Sequence, residues 1–339
     1  MKQHLNTLFV TREGTYLRKD GAAVEVRHEH QTLLRVPLHN LDGIVCLGYD
    51  IGASAQLMAG CSEAGVTLSF CSPHGRFLAG VRGFTPGNVL LRRAQYRLAD
   101  DPAACAKFAT SFITGKLANG RNVLLRSSRD HGAHSALDDA ILILRRNAEA
   151  ALRTPELDSL RGLEGDAANS YFAAFPQLIT VPGFEFSGRV RRPPTDPLNA
   201  LLSFAYSLLA HDCRSALESV GLDAAVGFLH RDRPGRPSLA LDLMEEFRPV
   251  FADRCVLTLI NRRQIQTSDF LHRETGAVEL TEDARKRFLV AWQERKQEEI
   301  THPFLDEKMS FGLVPFIQAR LLARAIRSDL DAYPPFIWR

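Results

Sequence analysis

The amino-acid sequence predicts an α+β chain of two domains, a β-sandwich-like N-terminal domain over residues 1–85 and a larger all-α domain over residues 86–339. Three observations carry this expectation. The first 85 residues break into short segments rich in β-branched or aromatic side chains, separated by Gly, Asp, Asn or Pro, as in a small sandwich or barrel. The stretch Val81–Asn88, VRGFTPGN, then places two glycines and a proline close together. Beyond it, apolar residues recur with helical spacing for most of the chain.

In chain order, strands are predicted at Asn6–Val10, Ala23–Val26, Leu33–Pro37, Gly43–Cys46, Val66–Phe70 and Phe77–Val81. One helix, Ser54–Ala64, interrupts them, with its serine as N-cap. Helices follow at Val89–Leu98, Pro102–Ser127, Ser135–Ala151, Thr154–Phe175, Asp196–Val220, Leu239–Val250, Asp253–Asn261 and Thr281–Arg295. Pro303–Leu330 reads as one more long helix or a broken pair. Val181–Thr195, VPGFEFSGRVRRPPT, is too rich in Pro, Gly and Arg for a continuous helix and reads as a loop, ordered or mobile. Gln266–Leu280, with a Thr-Gly turn between short apolar segments, suits a small hairpin.

At 339 residues and 37.7 kDa the chain can bury two cores, and its 45% hydrophobic and 24% charged residues are those of an ordinary globular protein, so nothing demands disorder. A net charge of +3 argues only weakly for a polyanionic partner. The arginines are clustered, however, at Arg92-Arg93, Arg145-Arg146, Arg189 to Arg192, Arg231 to Arg236 and Arg262-Arg263, where phosphate contact and plain solvation are equally open. Six widely spaced cysteines form no C-x-x-C pair, which removes zinc-ribbon and thioredoxin-like readings. The opening residues lack a signal-peptide layout and no apolar run approaches a membrane span, so the expectation is a cytoplasmic protein with reduced thiols and no membrane partner.

The chemistry concentrates in Gly227–Pro249, GFLHRDRPGRPSLALDLMEEFRP. His230 lies in a short basic loop, and Ser238 opens a helix-reading run carrying Asp242, Glu245 and Glu246. On a helix Asp242 precedes both glutamates by one turn, so a carboxylate edge can face the histidine loop. Taken alone, Asp-x-x-Glu-Glu is more often a solvated face. A second segment, Leu160–Phe172, LRGLEGDAANSYF, sets Glu164 directly before Gly165, and a glycine inside a helix can mark the close approach of another group. Glu164, His230 and Glu245 would form a mixed nitrogen and oxygen donor set suited to Mg²⁺ or Mn²⁺, with coordination positions left for phosphate oxygen. Such a site suits phosphoryl chemistry, with Arg189, Arg191, Arg231 or Arg248 on flanking phosphates. No P-loop, dinucleotide fingerprint, G-x-S-x-G elbow or H-E-x-x-H pair competes.

LRGLEGDAANSYF, then Asp196–Leu209 as DPLNALLSFAYSLL, then GFLHRDRPGRPSLALDLMEEFRP, in this order behind a β-rich N-terminal part, resemble the CRISPR-associated integrase family, the universal first Cas protein. The resemblance covers essentially the whole chain. It implies an N-terminal dimerisation domain and a helical catalytic domain with one metal site per subunit. It further implies a homodimer that joins a small ferredoxin-like second Cas protein to insert new spacers, cut from prespacer DNA, at a CRISPR repeat. The family's ligands carry over onto Glu164, His230 and Glu245, the last being a glutamate where the family often has aspartate. Asp242 matches an acidic position that supports the site or adds a further ligand. Asn169 and Tyr171 follow Glu164 closely enough to project near it, with helix capping and core packing equally open. Lys116–Arg126, KLANGRNVLLR, looks like a stretch that turns basic and amide groups to DNA, although a solvated helix face fits as well. The expected function is a metal-dependent DNA endonuclease and integrase. Two alternatives stay open: a metal-dependent nuclease that never integrates, and a non-catalytic nucleic-acid scaffold.

Overall fold

A computed structural model describes residues 6–81, 89–132, 134–190 and 193–338. The Val81–Asn88 break, apart from Val81 itself, and Arg191-Arg192 lie outside the described residues. The chain forms two compact units, Met1–Pro86 with Arg285–Gln297, and Gly87–Ala284 with Glu298–Arg339.

The first unit holds strands β1 (Thr7–Val10), β2 (Thr15–Asp20), β3 (Ala23–His28), β4 (Gln31–Pro37), β5 (Gly43–Leu47), β6 (Ile51–Ala53), β7 (Thr67–Cys71) and β8 (Phe77–Val81), with helix α1 (Ala55–Ala64) before β7. They make two four-stranded sheets, ordered β1-β5-β7-β8 and β4-β3-β2-β6. Both sheets are mixed: β1, β5 and β7 run parallel, as do β2 and β6. One core of Leu17, Val24, Ile44, Leu57 and Leu68 serves them. Ser54 caps α1 as expected, accepting from Leu57 N at 3.2 Å, and Gly65 ends it at φ 67°, a conformation glycine adopts without steric cost. The sequence missed β2 because its outer half is charged; Arg18 and Glu25, register partners on β2 and β3, pair across the sheet. Arg285–Gln297, read from the sequence as part of the helical domain, groups with this unit. Its Gln293 Nε2 donates to Thr7 O at 2.8 Å, and Phe288 and Trp292 are fully buried.

In the second unit α2 (Val89–Ala99), α3 (Pro102–His131), α4 (Ser135–Ala151) and α5 (Leu157–Ala174) precede the mostly buried α6 (Pro197–Ser219). Helices α3, α4 and α5 pack on one another. The helix expected at Leu239–Val250 is broken. Helix α7 covers Ser238–Met244, residues 245–247 form a turn, and a π-turn over Arg248–Asp253 leads into α8 (Arg254–Asn261). Pro249 supplies no N–H to a continuous helix, and the wider turn accommodates it. The hairpin expected after Gln266 is present as β9 (Phe270–His272) and β10 (Val278–Leu280). Helix α9 (Glu282–Gln297) follows, and a further hairpin, β11 (Glu299–Thr301) with β12 (Lys308–Ser310), replaces the start of the helix expected from Pro303. That helix, α10, is confined to Val314–Ile326 and opens on Pro315. Among the described residues no helix is long and apolar enough to cross a membrane.

Candidate active site

Asp242, on α7 and fully buried, organises the histidine loop. Its Oδ2 accepts from Phe228 N at 2.6 Å and Leu229 N at 3.0 Å, and its Oδ1 accepts from His230 N at 2.9 Å. Such close wrapping requires glycine at 227, where a Cβ would stand 2.7 Å from Asp242 Oδ2. The same carboxylate meets His230 Nδ1 at 2.6 Å, so Nδ1 carries the proton and Nε2 keeps its lone pair. Nε2 in turn lies 3.9 Å from Glu245 Oε1. This separation is too long for a hydrogen bond and slightly less than two end-to-end coordination bonds of about 2.0–2.1 Å each.

Glu245 occupies the turn that ends α7, its side chain 4% exposed. Arg248 Nη2 reaches its Oε1 at 3.0 Å and Lys116 Nζ stands 2.7 Å from its Oε2. Apart from that ion pair, the buried Oε2 has no hydrogen-bond partner. Burial pushes the Glu245 carboxyl up, but Arg248, Lys116 and His230 outweigh it and hold the group at about 2. Lys116, on α3, also pairs directly with Glu164 of α5. Its ammonium therefore bridges two of the three expected ligands. Among the described residues no three His, Cys, Asp or Glu side chains converge on one point as they stand.

A divalent cation fits the donors on the His230 side, where a lone-pair nitrogen and an anionic, under-coordinated carboxylate face each other. Glu164 joins them through the position Lys116 now fills. The structure thus brings Glu164, His230 and Glu245 into one neighbourhood, and it adds Lys116, which sequence reasoning had read only as part of a basic stretch.

The remaining expected residues divide. Asp242 is the partner of the histidine and of three backbone amides, which leaves it no role as a ligand in this arrangement. Asn169 is exposed, and five residues along α5 set it about 140° round the helix from Glu164, so it does not support the site. Gly165 does not mark a close approach either, since a Cβ there would meet nothing within 4 Å. Arg248 was expected on DNA phosphate but is 13% exposed, paired to Glu245 and stacked on Tyr206 at 4.9 Å from the ring centre. Arg189 packs over the same ring at 5.3 Å and donates to Asn199 Oδ1 at 2.6 Å, which pins the loop after Val181. Arg231 is 67% exposed and pairs with Asp158 at 3.0 Å. The KLANGRNVLLR stretch turns largely inward: Asn119 donates to Glu246 O and Phe336 O, both at 2.7 Å.

Two further groups escaped the sequence. Arg161, one turn before Glu164 on α5, donates twice to Leu229 O, at 2.9 and 2.6 Å, and ties the helix of one expected ligand to the loop of another. Asp253 is buried and accepts from Tyr171 at 2.9 Å and Tyr206 at 2.6 Å; burial pushes it up to about 6 against the pull of those hydroxyls. Both tyrosines, with Lys116, Phe172 and Arg248, line a cavity of about 430 Å³ beside the cluster.

The profile of the family described as CRISPR associated protein Cas1 matches residues 8–294. The CRISPR-associated endonuclease Cas1 1 of Chlorobaculum tepidum is 52% identical over 344 residues, covering 100% of both chains. The CRISPR-associated endonuclease Cas1 2 of Rhodospirillum rubrum is 54% identical, again over 100% of each. Among solved structures, a casposase bound to integration product shares the fold with a TM-score of 0.85 at 23% identity, covering 99% of this chain and 95% of that one.

Proposed function

The chain belongs to the CRISPR-associated Cas1 family, and from that premise we propose that it is a metal-dependent DNA endonuclease and integrase of CRISPR adaptation. It inserts new spacers by attack of a DNA 3′-hydroxyl on a phosphodiester. The observation that carries this reading is the facing pair of His230 Nε2 and Glu245 Oε1, 3.9 Å apart, with the imidazole locked from behind by Asp242. The nuclease activity follows the printed names of the two full-length relatives, both endonucleases.

Glu164, His230 and Glu245 would hold Mg²⁺ or Mn²⁺. Bound there, such a cation polarises the phosphodiester and offsets charge on the entering and leaving oxygens. The chain's own residues prepare the place. Asp242 fixes the Nδ1–H tautomer and the ring plane, so that the free nitrogen points at Glu245. Arg248 and Lys116 keep Glu245 ionised far below neutral pH, so no proton has to be expelled before it can act as a donor. Arg161 holds the histidine loop against α5 and thereby sets the spacing between His230 and Glu164. The reaction is a direct transesterification: the attacking 3′-oxygen forms a P–O bond as the target strand's P–O bond breaks, and the leaving oxygen takes up a proton. Neither ATP nor a covalent enzyme intermediate is needed. The proposal includes action as a homodimer joined to a small ferredoxin-like second Cas protein, on prespacer DNA and a CRISPR repeat, in the cytoplasm.

Strand transfer into supercoiled or branched DNA in Mn²⁺ or Mg²⁺ tests the reading. Joining that requires a free 3′-hydroxyl and disappears in Glu164→Ala and His230→Ala is expected. Full activity in either variant contradicts the mechanism, and cleavage without 3′-hydroxyl-dependent joining selects a nuclease that does not integrate.

A further inference from the structure

We propose that Lys116 is the protein's own stand-in for the divalent cation: its ammonium holds Glu164 and Glu245 together in the metal-free protein and must leave them when metal binds, so that it sets the affinity of the site. This inference rests on the metal reading of Glu164, His230 and Glu245 given above.

The first support is position. Lys116 Nζ pairs with Glu164 Oε1 and stands 2.7 Å from Glu245 Oε2, the oxygen with no hydrogen-bond partner of its own. Arg248 serves the opposite oxygen of Glu245, at 3.0 Å, and so does not duplicate the bridge. The second support is charge. With Lys116 removed and no metal present, two carboxylates, 27% and 4% exposed, would face each other across a gap that water screens poorly. A metal-free protein therefore needs a cation at this point, and the chain provides one.

The third support is freedom to move. Helix α3 is fixed one turn further on, where Asn119 donates to Glu246 O and Phe336 O at 2.7 Å and accepts from Trp338 N at 2.8 Å. Only the lysine's four-carbon stem is left to swing, and the adjacent cavity of about 430 Å³, which Lys116 itself helps to line, gives it somewhere to go without moving the backbone. A lysine suits this duty better than an arginine. Its compact ammonium makes no bidentate fork with either carboxylate, so it holds the pair by charge alone and can let go.

A tethered cation competes with a dissolved one for the same oxygens. Removing it should therefore tighten metal binding while weakening the metal-free protein. The test is a Mn²⁺ titration of the full chain, followed by electron paramagnetic resonance and by thermal melting, for the wild type, Lys116→Met and Lys116→Gln. The expected result is Mn²⁺ binding about tenfold tighter in both variants, the ratio that about 1.4 kcal/mol of lost competition produces. Metal-free melting temperatures should fall in the variants and return towards the wild-type value when Mn²⁺ is bound. A second measurement needs no variant: amine labelling of the wild type, read by mass spectrometry at Lys116, should be slow without metal and faster with saturating Mn²⁺. Wild-type binding with equal or weaker affinity in the variants, or Lys116 labelling indifferent to Mn²⁺, overturns the role given to Lys116 and leaves the metal site standing. Absence of Mn²⁺ binding by the wild type overturns the metal reading itself.

Discussion

Glu245 and Glu246 are neighbours in the chain, both are buried, and they face opposite electrical surroundings. Glu245 turns to Arg248, Lys116 and His230, and these cations hold its carboxyl at about 2 despite burial. Glu246 turns to neutral donors, the Tyr333 hydroxyl, the Gln318 amide and the Phe336 backbone N–H, and burial pushes it up to about 8. Helix α3 serves both sides from adjacent turns, with Lys116 on Glu245 and Asn119 on the backbone carbonyl of Glu246 and on the C-terminal segment. The pair teaches that burial does not assign a carboxylate its role. The charge of its neighbours does: a group held ionised beside a lone-pair imidazole is a candidate ligand, and a group held protonated among hydroxyls and amides is a structural clasp for residues 333–338.

The comparison breaks most visibly at the ligand. Glu245→Gln should abolish strand transfer and weaken Mn²⁺ binding by more than the roughly 10–100-fold that partners behind a ligand are worth. Calorimetry that finds unchanged Mn²⁺ affinity would transfer the ligand role elsewhere. Asp242→Asn comes next. Three backbone amides and the imidazole lose an anionic acceptor, so Mn²⁺ affinity should fall about 10–100-fold, with about 1–3 kcal/mol of stability lost for each buried donor left unsatisfied. Denaturant melts and Mn²⁺ titrations of the same preparation measure both effects.

Arg161→Ala should act more mildly. It frees the Leu229 carbonyl and loosens His230 relative to Glu164, so Mn²⁺ affinity falls by about the lower end of that range while the fold persists. An unchanged titration would show that the loop is set by Asp242 alone.

Glu246→Gln should have the smallest effect, and it sharpens the contrast through pH. The folded state keeps a proton on Glu246 up to about 8, whereas the unfolded chain releases it near 4.5. Stability from this group is therefore complete below the unfolded value and is lost as pH rises through that window. The wild type should lose more stability than Glu246→Gln between about pH 5 and 8, with the two nearly equal at the acid end. Equal slopes in denaturant melts across this range would place a charge on Glu246 that the neutral clasp excludes.

The fold class was legible in the residues because alternation and helical period differ sharply on the two sides of Val81–Asn88. What escaped was structure set by partners distant in sequence. Strand β2 exists because β3 and β6 flank it, and its own residues Arg18, Lys19 and Asp20 give little strand signal. The β11–β12 hairpin likewise lies in a segment whose local pattern reads as helix. At the site, His230, Asp242 and Glu245 stand out because one short segment carries all three. Lys116 lies 48 residues before Glu164 on another helix, and Arg161 looks like any surface arginine until its contact with Leu229 O is seen. Asn169 failed for the converse reason: closeness in sequence to Glu164 put it on a different face of the same helix.

The central claim is that Glu164, His230 and Glu245 grip one divalent cation. Anomalous diffraction from crystals of the protein grown with Mn²⁺ addresses it most directly. The account predicts a single anomalous peak bounded by His230 Nε2 and the carboxylates of Glu245 and Glu164, with the Lys116 ammonium withdrawn from both. Saturating Mn²⁺ with no peak there, and Lys116 still bridging the two glutamates, would contradict it.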